Sequence, residues 1–147
     1  METANLNAAK NGFTQVSALV SDLFSALPPD RKFDVIISSP PSFSGEPRDN
    51  ADRAWHAGPG YRDILSLFDQ AGRRLEPDGK MYLLLSSDTN LPLMQSLMDA
   101  AVFTAKMVAQ RSIWIEAFYL YELSLTRQQT NEGQPPTLAD PSTASGG

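Results

Sequence analysis

Three short segments hold the side chains from which a site can be built: Asp22-Leu23-Phe24, Ser39-Pro40-Pro41-Ser42-Phe43 and Ser86-Ser87-Asp88. Each follows an apolar run that reads as a strand. In a largely parallel sheet, ligands bind just beyond the carboxyl ends of the strands. The chemistry on offer is hydrogen bonding and positioning. Pro40-Pro41 alone would only punctuate a strand. Directly after the apolar run 33–37 and ahead of a loop containing Gly45, it reads as part of a substrate site. Asp22 either meets a ligand or caps the turn before Leu23-Phe24, and Phe24 either lines a pocket or fills core.

Other chemistry is thinly supplied. The chain has no cysteine, which excludes disulfides, thiolate catalysis and cysteine-ligated zinc. One histidine, His56, cannot build a histidine-rich metal site, so no metal is expected. His56 also lacks an orienting partner in the sequence that would make it a base. Trp55 and Tyr61 flank it, either as a lid over a substrate or as side chains that pack the loop down; packing is the plainer reading. Asp49, Asp52 and Asp63 read as solvated loop carboxylates, and Trp114, Phe118 and Tyr121 as core or interface.

The elements that must position these residues follow from hydrophobic period and turn residues. Residues 3–10 read as a short helix ended by Asn11-Gly12. Residues 15–20 alternate as a short strand. Residues 33–39 form a continuous apolar run, the mark of a strand buried on both faces, ended by prolines that cannot donate to a ladder. Residues 42–60 are a long irregular loop, of the kind usually functional or mobile. Residues 61–75 carry apolar side chains at helical spacing: Tyr61, Ile64, Leu65, Phe68, Ala71 and Leu75. Glu76-Pro77-Asp78-Gly79 is a turn. A buried strand at 81–85 comes next, then a helix from near Pro92, with Leu93, Met94, Leu97, Met98 and Ala101 inward. Strands at 103–110 and 113–125 close the fold, with a break at Arg111-Ser112. Helices alternating with buried strands imply a mostly parallel α/β sheet. The last two strands lack room for a crossover and must form an antiparallel hairpin.

With these elements in place, the sequence resembles class I S-adenosylmethionine-dependent methyltransferases that carry an Asn-Pro-Pro-aromatic signature, of the small-domain and release-factor glutamine methyltransferase kind. "FDVIISSPPSF" is similar to the end of their fourth strand and "LEPDGKMYLLL" to the turn into the fifth. "NLNAAKNG" with "VSDLF" is similar to their second helix, third strand and following acidic residue. "FTAKMVAQRSIWIEAFYLYEL" is similar to their closing hairpin. The resemblance implies a Rossmann-like sheet and S-adenosyl-L-methionine as cofactor. It implies that Asp22, Leu23 and Phe24 meet the adenine end and Ser39 the reacting end. Ser39 takes the Asn position, Pro40 and Pro41 match, Ser42 takes the aromatic position, and Phe43 comes one residue late. Ser39, Pro40, Pro41 and Phe43 are thus the implied catalytic set. In the family, the Asn side chain and the first Pro carbonyl hold the N–H groups of a planar, weakly nucleophilic nitrogen and aim it at the methyl donor. Ser39 has a shorter reach and only a hydroxyl.

The resemblance also implies what residues 1–126 do not hold: the first strand with its Gly-rich turn, and the second strand ending in an acidic residue. The chain would start inside the second helix, as an amino-terminally truncated domain. Of a sheet ordered three, two, one, four, five, seven, six, the strand at 15–20 would lack a neighbour and the one at 33–39 would have a bare edge. Direct pairing of these two, a second chain, or a missing amino-terminal segment would complete it, and truncation is the favoured reading. Residues 127–147, rich in Gln, Thr, Pro, Ser and Gly, are expected to be a disordered tail. The net charge of −5 argues against a bulk nucleic acid and for a protein or small-molecule substrate. Without a basic apolar leader or a membrane-length run, the expected location is cytoplasmic. The competing readings are a decayed, non-catalytic module that associates through its bare sheet edge, and another nucleotide-binding α/β protein. The terminal hairpin speaks against the latter.

Overall fold

The strongest apolar stripe in the sequence forms the longest helix. In a computed structural model, which describes residues 2–126, α2 (Arg62–Arg74) buries Ile64, Leu67, Phe68 and Ala71. Their three- and four-residue spacing puts them on one face. Arg73 and Arg74 sit in its last turn, where the helix dipole favours cations. The other α-helices among the described residues are α1 (Glu2–Lys10) and α3 (Leu91–Ala100). Asn90 caps α3, its Oδ1 accepting from the Leu93 N–H at 3.1 Å, and Pro92 stands in the first turn, where no intrahelical donor is needed. No helix among the described residues is long and apolar enough to cross a membrane. The expected tail at 127–147 lies outside the described residues.

Among the described residues, four strands form one sheet in the order β1-β2-β4-β3, with β1 Phe33–Ser38, β2 Leu75–Ser86, β3 Phe103–Ile113 and β4 Glu116–Leu125. β1 and β2 run parallel; β2/β4 and β4/β3 are antiparallel. This is the four, five, seven, six part of the order that the resemblance implied, an incomplete Rossmann-like sheet ending in an antiparallel hairpin. Alternation along β2 buries Met81, Leu83 and Leu85. Paired positions Ile36 and Leu123 share that face, and Phe68, Met94 and Met98 close over it in one core. The Phe68 and Phe103 rings meet edge-on, with centroids 6.1 Å apart.

Four expectations are corrected. Residues 15–20 form no strand, so the parallel share of the sheet is a single pairing; no strand among the described residues lies beside them, the Ala18 N–H and carbonyl bond the Asn5 side chain instead, and Val16, Leu19 and Val20 lie exposed. β1 is buried on one face only. Ile36 packs inward, but Val35 and Ile37 are 51% and 78% exposed, since α2 and α3 cover the opposite face and the outer edge of β1 has no partner among the described residues. Glu76-Pro77-Asp78-Gly79 is not a free turn but an irregularity inside β2, between the pairings Phe33↔Leu75 and Val35↔Lys80. The hairpin does not break at Arg111-Ser112. β3 runs to Ile113 and turns at Trp114-Ile115, leaving Trp114, expected in core or interface, 99% exposed.

The irregularity in β2 depends on Gly79. An added Cβ there would stand 2.9 Å from the Phe33 carbonyl oxygen and 3.0 Å from that of Glu76, both backbone atoms that cannot swing aside. Gly79→Ala is therefore expected to cost about 1–3 kcal/mol, as overpacking does. A urea midpoint close to that of the parent would refute this.

Candidate functional site

The carboxyl ends of β1 and β2 lie side by side because the two strands are parallel and in register from Val35↔Lys80 to Ser38↔Leu83. That brings the segment after β1 against the end of β2. The Ser42 and Ser86 hydroxyls meet at 3.2 Å across the gap. The hairpin is tied to the same place: the Ser87 N–H donates to the Ala117 carbonyl at 2.7 Å, and the Ala117 N–H to Ser87 Oγ at 3.1 Å. Between these segments lies a cavity of about 340 Å³. Ser39, Pro40, Pro41 and Ser42 line it with Leu84, Leu85 and Ser86 of β2, Glu116 and Phe118 of β4, and Ala54 and Trp55 of the long loop.

The long loop folds back by short pairings. The Phe43 N–H donates to the Trp55 carbonyl and the Ala57 N–H to the Phe43 carbonyl, both at 2.9 Å, and the Gly45 N–H reaches the Gly58 carbonyl at 3.1 Å. Tyr61 locks the arrangement. It is buried, at 4% exposure, in the left-handed region at φ 59°. Its phenol donates to the Ser42 carbonyl at 3.0 Å and accepts from the Asn90 N–H at 3.4 Å. One side chain thus ties the Pro-Pro segment to the loop before α3. Beside it, the buried Thr89 hydroxyl finds no hydrogen-bond partner among the described residues.

Asp52 organises the other half of the loop. Its carboxylate accepts from Arg48 Nε at 2.7 Å, Nη2 at 3.1 Å and the Arg48 backbone N–H at 3.1 Å. The Arg48 guanidinium bond, then the backbone bond, hold this carboxyl well below the ordinary carboxylate range. The folded value lies below the unfolded one, so the stabilisation is present above the ordinary range and disappears only as pH falls through the lowered value. The Arg48 Nε–H resonance is expected to persist as pH drops below about 4 and to be lost only in stronger acid. Loss at the ordinary carboxylate pH, followed by NMR, would contradict the pairing.

The structure brings some expected site residues together and separates others. Ser39, Pro40 and Pro41 share the cavity wall. Phe43 does not line it; the pairing with 55–57 turns its ring onto His56, at 5.9 Å between centroids. Asp22 and Leu23 are exposed, and Phe24 packs on Phe33 at 6.2 Å, at the amino end of β1, the opposite end from Ser39. Without a strand at 15–20, nothing carries Asp22 to the carboxyl edge. Trp55 lines the cavity yet is 62% exposed, so it does not pack the loop down, whereas Tyr61 does. Ser86 stood in a segment picked from sequence. Glu116 and Phe118 were missed as cavity residues, since only strand pairing brings β4 there. A larger apolar cavity, about 560 Å³, lies between Leu65, Phe68, Gly72, Val102 and Leu125 and touches none of the expected residues.

Solved structures share this fold at low identity. A ribosomal protein L11 methylase from Lactobacillus delbrueckii subsp. bulgaricus matches with a TM-score of 0.56 and 18% identity, over 84% of this chain and 52% of its own. A chain of the E. cuniculi Mtq2–Trm112 complex, responsible for methylation of the eRF1 translation termination factor, matches with a TM-score of 0.51 and 18% identity, over 82% of this chain and 68% of its own. A methyltransferase from Pyrococcus furiosus matches with a TM-score of 0.51 and 18% identity, over 84% and 57%. The chain spans about half the length of the Lactobacillus protein. No curated protein matches it. The sequence model of the methyltransferase small domain family, however, matches residues 1–115, most of the described chain. The chain belongs to the methyltransferase small domain family.

Proposed function

We propose that this chain is part of an S-adenosylmethionine-dependent methyltransferase whose Ser39-to-Ser42 cavity receives a planar nitrogen, of a protein side-chain amide, a small molecule or a base. The observation that carries the reading is that cavity: Ser39, Pro40 and Pro41 line it at the carboxyl end of β1, beside Ser86 at the end of β2, in a chain of this family. The cofactor, when bound, supplies an electrophilic methyl group. Its fit to the described residues is partial. The cavity suits a reacting end, while Asp22, Leu23 and Phe24, proposed for the adenine end, lie near the far end of β1.

What the chain's own residues contribute is positioning. The Ser39 hydroxyl and the Pro40 carbonyl can accept the N–H groups of an acceptor, and proline rings restrict the backbone that carries them. Accepting those bonds aims the nitrogen lone pair and supports charge as it builds. Leu84, Leu85 and Phe118 give the cavity its apolar lining.

Calorimetric titration with S-adenosylmethionine, on this chain and on a form joined to a Gly-rich strand-turn-helix unit, tests the reading. Binding by either form, with transfer of labelled methyl to an amide-bearing peptide or a base, is the expected result. No affinity in either form would refute it. A second reading has its own observation: Val35 and Ile37 are exposed on β1, whose outer edge no strand among the described residues covers, as in a non-catalytic module that pairs edge to edge with another copy. That reading requires a concentration-dependent oligomer that binds no cofactor.

A further inference from the structure

We infer that the tip of the β3–β4 hairpin is a docking element for a polypeptide acceptor that carries an apolar side chain beside the residue entering the Ser39 cavity. The inference rests on the methyl-transfer reading and names the substrate class of that same site.

The tip breaks a local rule without compensation. Ile113 pairs with Glu116, so Trp114 and Ile115 form a two-residue loop. Such loops favour Asn, Asp and Gly, because they require positive φ. Here the position is held by a tryptophan at φ 56°, a strained state for a bulky side chain. Neither side chain is packed against the described residues, Trp114 being 99% and Ile115 102% exposed. A local conflict with no packing benefit is the pattern of a surface kept for binding.

The tip also stands at the site. Glu116 and Phe118, the next residues of β4, line the same cavity as Ser39 and Ser42. The root of the hairpin is fixed to the end of β2 by the two Ser87–Ala117 bonds. The chain has two tryptophans. The other, Trp55, lines the cavity while 62% exposed. Tryptophan is among the side chains that most often carry the binding energy of protein interfaces.

Charge selects among partners. Glu116 puts a carboxylate on the cavity wall and the chain is net −5, which opposes a phosphate backbone. Membrane-anchoring tips are ringed by basic residues; among Gln110, Arg111, Ser112 and Glu116 there is one cation. A polypeptide meets the arrangement: an apolar side chain covered by Trp114 and Ile115, its neighbour in a cavity of about 340 Å³.

The test uses the full chain carrying Trp55→Phe, so that emission reports Trp114 alone. Four probes are titrated: a peptide with glutamine between two leucines, the same peptide with serines for leucines, a single-stranded DNA oligonucleotide, and vesicles of anionic phospholipid. The leucine peptide is expected to shift emission to the blue; by calorimetry, which needs no tryptophan, Trp114→Ser in the otherwise unchanged chain should weaken its binding about thirtyfold and abolish the preference over the serine peptide. Trp114→Asn, which suits the turn, should raise the melting temperature yet lose the peptide, an outcome that a purely structural role would not give. No shift with either peptide, or a shift with oligonucleotide or vesicles instead, overturns the inference. Calorimetry with S-adenosylmethionine separates the two readings: cofactor binding without peptide binding sinks the docking tip alone, and peptide binding without cofactor binding sinks methyl transfer alone.

Discussion

Phe68→Ala is expected to lower the stability of the fold by about 3–5 kcal/mol, a large part of the whole reserve of such domains, which is about 5–15 kcal/mol. Phe68 is fully buried, at 0% exposure, and its ring meets Phe103 edge-on. Aromatic pairs of this geometry add to the benefit of area burial. Neighbouring atoms cannot close over the gap cheaply. Met94 and Met98 are themselves fully packed, and the large apolar cavity already runs along one side of the ring. Removing it joins two voids. Phe68→Leu, which keeps most of the volume, should cost far less. Equilibrium urea denaturation of both variants provides the measurement, and a loss below about 1 kcal/mol for the alanine would show that the core relaxes.

Tyr61→Phe is expected to separate stability from catalysis. Its phenol is the donor that holds the Ser42 carbonyl, and it also accepts a long bond from Asn90. Without it the half-buried carbonyl loses its partner, which costs about 1–3 kcal/mol. The larger consequence concerns position. The Pro40-Pro41 segment is tethered at its carboxyl end by this bond and by the Ser42–Ser86 contact. A misplacement of about 1 Å can cost about a hundredfold in rate. On the proposed activity, kcat should fall by about that factor with KM changed little, while the urea midpoint shifts modestly. A variant that loses stability but keeps kcat would make Tyr61 a structural residue only.

How much of this was legible in the sequence depended on the range of the interaction. The α2 stripe is local, and Ile64, Phe68 and Ala71 could be read from spacing. The hairpin was legible from the short spacing between its strands, but its turn was not, because Trp114-Ile115 carries none of the usual turn residues. The failed strand at 15–20 shows the limit of alternation as a signal: a strand exists only where a neighbour accepts its hydrogen bonds. The same limit applies to the cavity. Ser39, Pro40 and Pro41 were found because one motif holds them. Glu116 and Phe118 reach the cavity through a register that no local pattern encodes. Phe43 is the reverse case, a residue picked by position in a motif and then turned onto His56 by backbone pairing with a distant part of the loop.

The order of the strands along the chain has a kinetic consequence. β3 and β4 are joined by two residues and can zip together on the microsecond scale of isolated hairpins. β1 must find β2 across about forty intervening residues, a slower search because closing entropy is lost before any contact rewards it. The scaffold is therefore expected to assemble from its carboxyl end, with β1 recruited last. In pulse-labelled hydrogen exchange, amides of β4 should gain protection before those of Val35 to Ile37. The cavity would then be the final part of the molecule to come into being during refolding.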